Sequence, residues 1–559
     1  MSSNNSPALA LQRDVLPLPR WALWLLCALY VVSGFWGRDP WRAADIDAYA
    51  AMLDMVRSGH WQPQLLGAPI EGGWLPYALG AAFIHVGEWL APALSPWIWV
   101  RLPFIAVMGA MMALLWYSAY HLAREDAAQP QRFALGGEAG RIDYARAMAD
   151  SALLALVATL GLLQLGHEVT PQLLQLLAVT LWMYGLARAP TQRGLALGAL
   201  GGSGLILAAS GAPVSAVALM LGALAIAARS SHAAVRRLLL PVALLLVPVL
   251  AVAGLTGAWA WRVRWSSSGT DLLKLLIWFT WPTLPMALVT LWRWRAFVLH
   301  RHVSVPLVLS AWALAQCLAM AGDQHALLLA LPGLALLAAW SLPAVPRGLT
   351  ALVDWFSVCF FSVAALAIWV IYSAMHLGWP APIAANIDRL SSDYDVPFQA
   401  WALVLGGAVT LVWGALVVWR TGRHRPALWK SMVLPAGGVG ACWLMLMSLW
   451  LPVLDYGRSP RPWAELVRAQ ITGPACLEVG LLSSDAQAAL QVYGRPGWQL
   501  RRNPLHTCDS GVSGQPVWRL VPNPSRGAAP ALPGWAATGQ ITRPTSRADT
   551  MILYRRLSF

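Results

Sequence analysis

Apolar runs of about twenty residues, the length that crosses a bilayer, recur along this 559-residue chain. They begin near residues 21, 99, 147, 171, 193, 212, 237, 272, 304, 324, 353, 399 and 431. The pattern predicts an all-α polytopic membrane protein with about thirteen transmembrane helices. Only 11% of residues are charged and 58% are hydrophobic, whereas soluble domains carry roughly 25% charge. An ordinary soluble enzyme and a disordered chain are excluded. The net charge of +14 sits in short loops between apolar runs, as the positive-inside rule expects, so it argues for membrane orientation and not for nucleic acid. Most of the 33 tryptophans suit the aromatic belt at helix ends.

One stretch decides the topology. Pro76 to Pro96 is apolar but holds His85 and Glu88. If it does not cross, the loops with Arg124, Arg141, Arg188, Arg229, Arg293, Arg347 and Arg420 share a side with the N-terminal Arg13 and Arg20. The positive-inside rule therefore favours a juxtamembrane or re-entrant segment. Residues 1–20 become a cytoplasmic tail, 21–452 the transmembrane domain with a first periplasmic loop over 38–98, and 453–559 a periplasmic domain. The expected location is the bacterial inner membrane.

The last segment is richer in Pro, Gly, Ser and Arg, with strand-like runs at 517–521 and 551–556, and is read as a small α/β domain. Cys27, Cys317, Cys359 and Cys442 lie in apolar runs, where cysteine is an inert core residue. Cys476 and Cys508 lie in the polar domain, where an oxidising compartment permits a disulfide. No Cys-x-x-Cys or Cys/His spacing marks a zinc site.

Acids are costly near a membrane, so their clustering is informative. The first outer loop carries Asp45 and Asp47 ahead of an amphipathic stretch, 48–58, then Gly59-His60-Trp61 and Glu71-Gly72-Gly73. Asp45 alone reads as a helix N-cap, and Asp47 suits a first helical turn.

Taken together, Asp45-Ile46-Asp47-Ala48-Tyr49-Ala50, Gly59-His60-Trp61 and Glu71-Gly72-Gly73 resemble the first-loop motifs of GT-C fold glycosyltransferases that use polyprenyl-phosphate sugars. Lipid A aminoarabinose transferases and protein O-mannosyltransferases are the groups most similar. Arg101-Leu102-Pro103, His167-Glu168, Trp278 to Pro282 and Leu454 to Ser459 also look like family segments. The chain departs from them at Ile46, where they have Glu, and at Gly72 and Ser210, where they have lysine.

The resemblance implies inverting glycosyl transfer from a polyprenyl-phosphate donor to a periplasmic glycolipid, such as lipid A, or to a protein, with membrane lipids as the other partners. Such chemistry needs a carboxylate near the acceptor and cations near the leaving phosphate. Asp45 is the first candidate for the carboxylate and Asp47 the second. Tyr49, Glu71, Arg101, Glu168, Arg262 and Arg264 are candidates for substrate binding. Arginine grips phosphate bidentately, and Trp261 and Trp265 flank the last two. Some relatives use a divalent ion, so a metal bridging Asp45 and Asp47 is open; two carboxylates alone do not establish it. An inactive lipid-sugar binder and a secondary transporter are the alternatives.

Overall fold

In the computed structural model the residues described are 6–70, 72–133, 136–256, 259, 268–344, 347–390, 394–422, 427–502, 515–523, 530–543 and 546–557. Helix α1 (Arg20–Phe35) leads through Gly37, at φ +79°, into the first loop. Helix α2 (Ala44–Ser58) follows and stops at Gly59, whose φ of +70° gives the left-handed cap that glycine adopts freely. Its N-cap residue is Ala43, at φ +64°, with no side-chain cap bond. Asp45 therefore lies inside the first turn, and the N-cap role expected for it is not what forms. A two-residue hairpin, β1 (Gln64–Leu65) with β2 (Ala68–Pro69), leads to α3 (Leu75–Leu90). This is the stretch expected to be juxtamembrane or re-entrant. It is one 16-residue helix without a reversal, packed on α2 and α4 (Pro96–Ala123).

The bundle continues with α5 (Arg141–Val157), the single turn α6 (Leu162–Leu165), α7 (Pro171–Arg188), α8 (Arg193–Ala209) and α9 (Pro213–Arg229). Prolines open α4, α7 and α9, where the missing N–H costs nothing and the fixed φ suits a helix. Next come α10 (Ala233–Arg236), α11 (Leu239–Thr256), α12 (Gly269–Phe279) and α13 (Thr283–Arg293), the last two meeting at a bend of 89°. Then follow α14 (Arg301–Ala319), α15 (Gln324–Leu328), α16 (Leu331–Ser341), α17 (Arg347–Leu377), α18 (Ala381–Leu390), α19 (Ala400–Thr421) and α20 (Lys430–Leu449). A helix covers each of the thirteen expected spans. Among the described residues, six are long and apolar enough to cross alone, or up to seven with the bent pair; α1, α8, α9 and the run from Leu331 to Ala344 are shorter apolar helices.

Helices α21 (Leu451–Arg458) and α22 (Arg461–Gln470) lead to a five-stranded sheet of order β4-β3-β5-β7-β6. Its strands are β3 (Ala475–Glu478), β4 (Trp498–Arg501), β5 (Val517–Pro522), β6 (Trp535–Arg543) and β7 (Ser546–Arg556). Helix α23 (Ser484–Tyr493) crosses between the parallel strands β3 and β4. Trp463, Val467, Leu477, Leu490, Leu520 and Leu553 form the core of this small α/β domain. Cys476 on β3 is disulfide-bonded, and Cys508 lies outside the described residues. Cys27, Cys317, Cys359 and Cys442 are free.

Tryptophans split into two groups. Trp21, Trp24, Trp36, Trp61 and Trp89 are exposed, while Trp182, Trp294, Trp340 and Trp463 are fully buried. The buried set fills the core, so the aromatic-belt reading holds for only part of the tryptophan content.

Candidate active site between the first loop and the C-terminal domain

Asp45 and Asp47 are two residues apart on α2 and have opposite surroundings. Asp45 is 1% exposed. Its Oδ2 accepts from the Arg38 guanidinium and from the Trp41 N–H at 3.3 Å, and its Oδ1 accepts from the Val169 N–H at 2.6 Å. Arg38 also donates to the carbonyls of Gly34 at 2.9 Å and His167 at 2.7 Å, and lies over the Trp41 ring. Charge and hydrogen-bonding capacity are matched, as a buried ion pair requires. The pair ties the end of α1, the start of α2 and the turn before α7 into one unit.

Asp47 faces a cavity of about 530 Å³. Its Oδ2 accepts from the Ser484 hydroxyl at 2.7 Å, while its Oδ1 is buried with no hydrogen-bond partner among the described residues. Burial pushes the carboxyl up to about 6, against the Ser484 hydrogen bond and with the help of the nearby Asp485 charge. A carboxyl so placed can hold or release a proton near neutrality. Asp485 is kept ionised, below the ordinary range; its hydrogen bonds from Ser483 and from Arg543, at 2.9 Å, outweigh burial.

The other walls come from distant parts of the chain: the hairpin, Gly72 and Gly73, Tyr77, Thr170 to Gln172 and Gln175 of α7, the Ser210–Gly211 turn, His325, Ser484 and Arg502. The first turn of α7 opens onto the cavity, and the Thr170 hydroxyl there is buried without a partner among the described residues. A helix N-terminus presents positive potential and free N–H groups. Gln175 pins the turn by donating to the Ser210 carbonyl at 2.8 Å. Gly73 fits because it lacks a side chain: a Cβ there would lie 2.1 Å from the Ala209 carbonyl oxygen and 2.3 Å from the Gly211 nitrogen.

A guanidinium and an imidazole also line this cavity. Arg502 reaches it from the C-terminal domain. His325 is held above its ordinary value by the Asp323 hydrogen bond at 3.4 Å, against burial, with the Asp323 and Glu168 charges adding. Asp323 also caps α15 by accepting from the His325 and Ala326 N–H groups. Glu168 is buried, accepts from Gln164 at 2.9 Å, and is raised first by burial and then by Asp45.

The other sequence candidates fall elsewhere. Tyr49 packs against Trp97, ring centroids 5.0 Å apart, behind α2. The Arg101 guanidinium lies over the same Trp97, and its Nε and Nη2 are buried without partners. Neither residue lines the Asp47 cavity. Glu71, Arg262 and Arg264 lie outside the described residues. The segment Leu454 to Ser459 meets the first loop: Asp455 accepts from the Asp39 N–H and the Trp41 indole, each at 2.9 Å.

Ser484 and Arg502 were invisible from sequence, because nothing local in them points to a helix more than four hundred positions earlier. His325 lies in the short helix α15, and its access to the cavity comes from packing. The C-terminal domain is further held on the first loop by Arg42 with Asp549 at 3.1 Å and Gln491 with Asp54 at 3.4 Å. A metal bridging Asp45 and Asp47 does not fit, since both Asp45 oxygens are taken by protein donors. Among the described residues no three His, Cys, Asp or Glu side chains converge as a metal site.

No family model and no curated protein matches the sequence. Solved structures do match. The crystal structure of ArnT from Cupriavidus metallidurans bound to undecaprenyl phosphate is similar with a TM-score of 0.61 at 16% identity, over 97% of this chain and 99% of that one. The apo form of the same protein gives 0.60 at 16% identity, over 96% and 98%. The apo oligosaccharyltransferase of Archaeoglobus fulgidus gives 0.46 at 8% identity, over 87% and 65%. The alignment with ArnT runs over almost the whole of both chains. The chain is therefore a polytopic membrane protein of the GT-C fold with a small C-terminal α/β domain.

Proposed function

We propose that the protein is an inverting glycosyltransferase of the bacterial inner membrane. It moves a sugar from a polyprenyl-phosphate donor to a periplasmic acceptor: lipid A, another glycolipid or a protein. The N-terminus is cytoplasmic and the C-terminal domain periplasmic. The observation that carries this reading is Asp47, a carboxylate with one unpartnered buried oxygen, facing a cavity that also holds Arg502, His325 and the start of α7.

Asp47 takes the place that Asp45 held as first candidate. Asp45 has no oxygen to offer a substrate, whereas Asp47 Oδ1 does. In the reaction the acceptor hydroxyl gives its proton to Asp47 as its oxygen bonds the anomeric carbon. The bond from that carbon to the phosphate oxygen breaks, and polyprenyl phosphate leaves with the bonding electrons. Arg502, His325 in its protonated form and the positive end of the α7 dipole meet the developing charge. They stand in for lysine: Gly72 and Ser210, where the resembled families have lysine, both line this cavity.

The bound undecaprenyl phosphate of the ArnT structure supports a lipid phosphate as one ligand. The test is polyprenyl-phosphate release from a panel of lipid-linked sugars by wild type, Asp47→Asn and Asp45→Asn in lipid. Release by wild type that is lost in a stably folded Asp47→Asn supports the proposal. Full activity in Asp47→Asn overturns Asp47 as the base, and lipid-sugar binding without release from any donor favours a binding protein.

A further inference from the structure

A second feature lies at the opposite end of α1 from Asp45. Helices α1 and α4, with the start of α5, enclose a groove of about 680 Å³. Its walls are apolar: Leu23, Val31, Val32, Ile105 and Met112 among them, with the small residues Ala28, Gly109 and Ala113 giving the depth. A Cβ on Gly109 would meet nothing within 4 Å. From Arg20 to Val32 the groove follows about 18 Å of helix, close to one leaflet of a hydrocarbon core roughly 30 Å thick.

One end of the groove is polar and positive. Arg20 is fixed there: it pairs with Asp150 at 3.1 Å and lies over the Trp116 ring, whose N–H also donates to Asp150 at 2.7 Å. Arg146 joins it, exposed on α5 and in no ion pair among the described residues. Two guanidinium groups against one carboxylate leave an excess positive charge at the mouth. Trp116, Tyr117 and Tyr120 line the same end, where aromatic side chains suit the headgroup level.

We propose that this groove is a binding site for an anionic phospholipid, with an acyl chain between α1 and α4 and the phosphate at Arg20 and Arg146. The occupant is a lipid of the surrounding bilayer. The site is separate from the Asp47 cavity, so the proposal stands whether or not the glycosyltransferase reading does. An apolar slot alone would take any chain; the paired arginines select a negative headgroup, because each cation near the surface favours one by about fivefold.

The full-length protein, purified in detergent with an equimolar mixture of phosphatidylglycerol and phosphatidylcholine of the same chains, is examined by native mass spectrometry. Wild type is expected to retain phosphatidylglycerol preferentially. Arg146→Gln lowers that preference about fivefold, and Arg146→Lys restores most of it. Gly109→Leu, whose Cβ has open space and whose side chain narrows the groove, lowers retention of both lipids. Melting temperatures of the three variants confirm that they fold. Equal retention of the two lipids by wild type, an unchanged preference in Arg146→Gln, or undiminished binding in a folded Gly109→Leu would each overturn the proposal.

Discussion

The Ser484 hydroxyl donates to Asp47 at 2.7 Å and so joins the first turn of α2 to the first turn of α23, 437 positions later in the chain. This contact and the burial around it act in opposite directions on the Asp47 carboxyl, which among the described residues is the carboxylate lining the cavity. It also makes the C-terminal domain part of the site.

Asp47→Asn separates chemistry from folding. The amide keeps an acceptor for Ser484 and removes a charge that burial disfavours. Stability at pH 7.5 is expected to hold within about 1 kcal/mol, while sugar transfer falls by about 10²-fold or more. Thermal denaturation and turnover on one preparation check both.

Asp45→Asn behaves in the opposite way. It leaves the Arg38 guanidinium buried without its counter-charge, a loss of about 3–5 kcal/mol for such pairs. The double variant Arg38→Met/Asp45→Leu recovers much of that stability, because neither buried charge remains. Denaturation of wild type, Arg38→Met, Asp45→Leu and the double variant closes the cycle and gives the coupling directly.

The pH profile follows from two groups of opposite sign. Asp47 is raised to about 6, so its basic form, and activity, grow as pH rises through about 6. His325 is raised above its ordinary value, so its charge is complete at low pH and lost as pH climbs through the raised value. A bell-shaped rate profile is expected. The His325–Asp323 contribution to stability is likewise full below the unfolded histidine value and lost as pH rises through the folded one. His325→Gln removes the alkaline limb of the rate profile and leaves the acid limb in place.

Ser484→Ala moves the acid limb. The lost hydrogen bond is the one that lowers the Asp47 value. The limb shifts upward by about one to two pH units, since a hydrogen bond to a charged group is worth about 1.5–3 kcal/mol. A limb that stays in place would mean that another group controls the rate.

Gly73→Ala is expected to damage the site through shape alone. Its Cβ would meet backbone atoms of Ala209 and Gly211, which cannot swing away as a flexible side chain can. The turn carrying Ser210 must move, at about 1–3 kcal/mol. Loss of donor binding together with a lowered melting temperature is the expected result; Gly198→Ala, on α8 with open space around its Cβ and no positive φ, serves as the control.

Periodicity and composition determined the membrane bundle, because runs of apolar residues have only one stable arrangement in lipid: helices that satisfy their own backbone. They also placed a helix at each expected span and strands near 517–521 and 551–556. The acids of the first loop were legible too, since charge at a membrane face stands out. The sequence alone could not rank Asp45 against Asp47, as both sit in one turn of one helix and differ only in what faces them. Packing of Arg38 and Val169 closed off the first. Packing of α7, the Ser210–Gly211 turn and α23 built a cavity in front of the second. Ser484, Arg502 and His325 entered the site through contacts hundreds of residues apart, which local pattern does not encode. Tertiary structure decided the chemistry because desolvation and hydrogen bonding, which set a carboxylate's role, depend on neighbours in space.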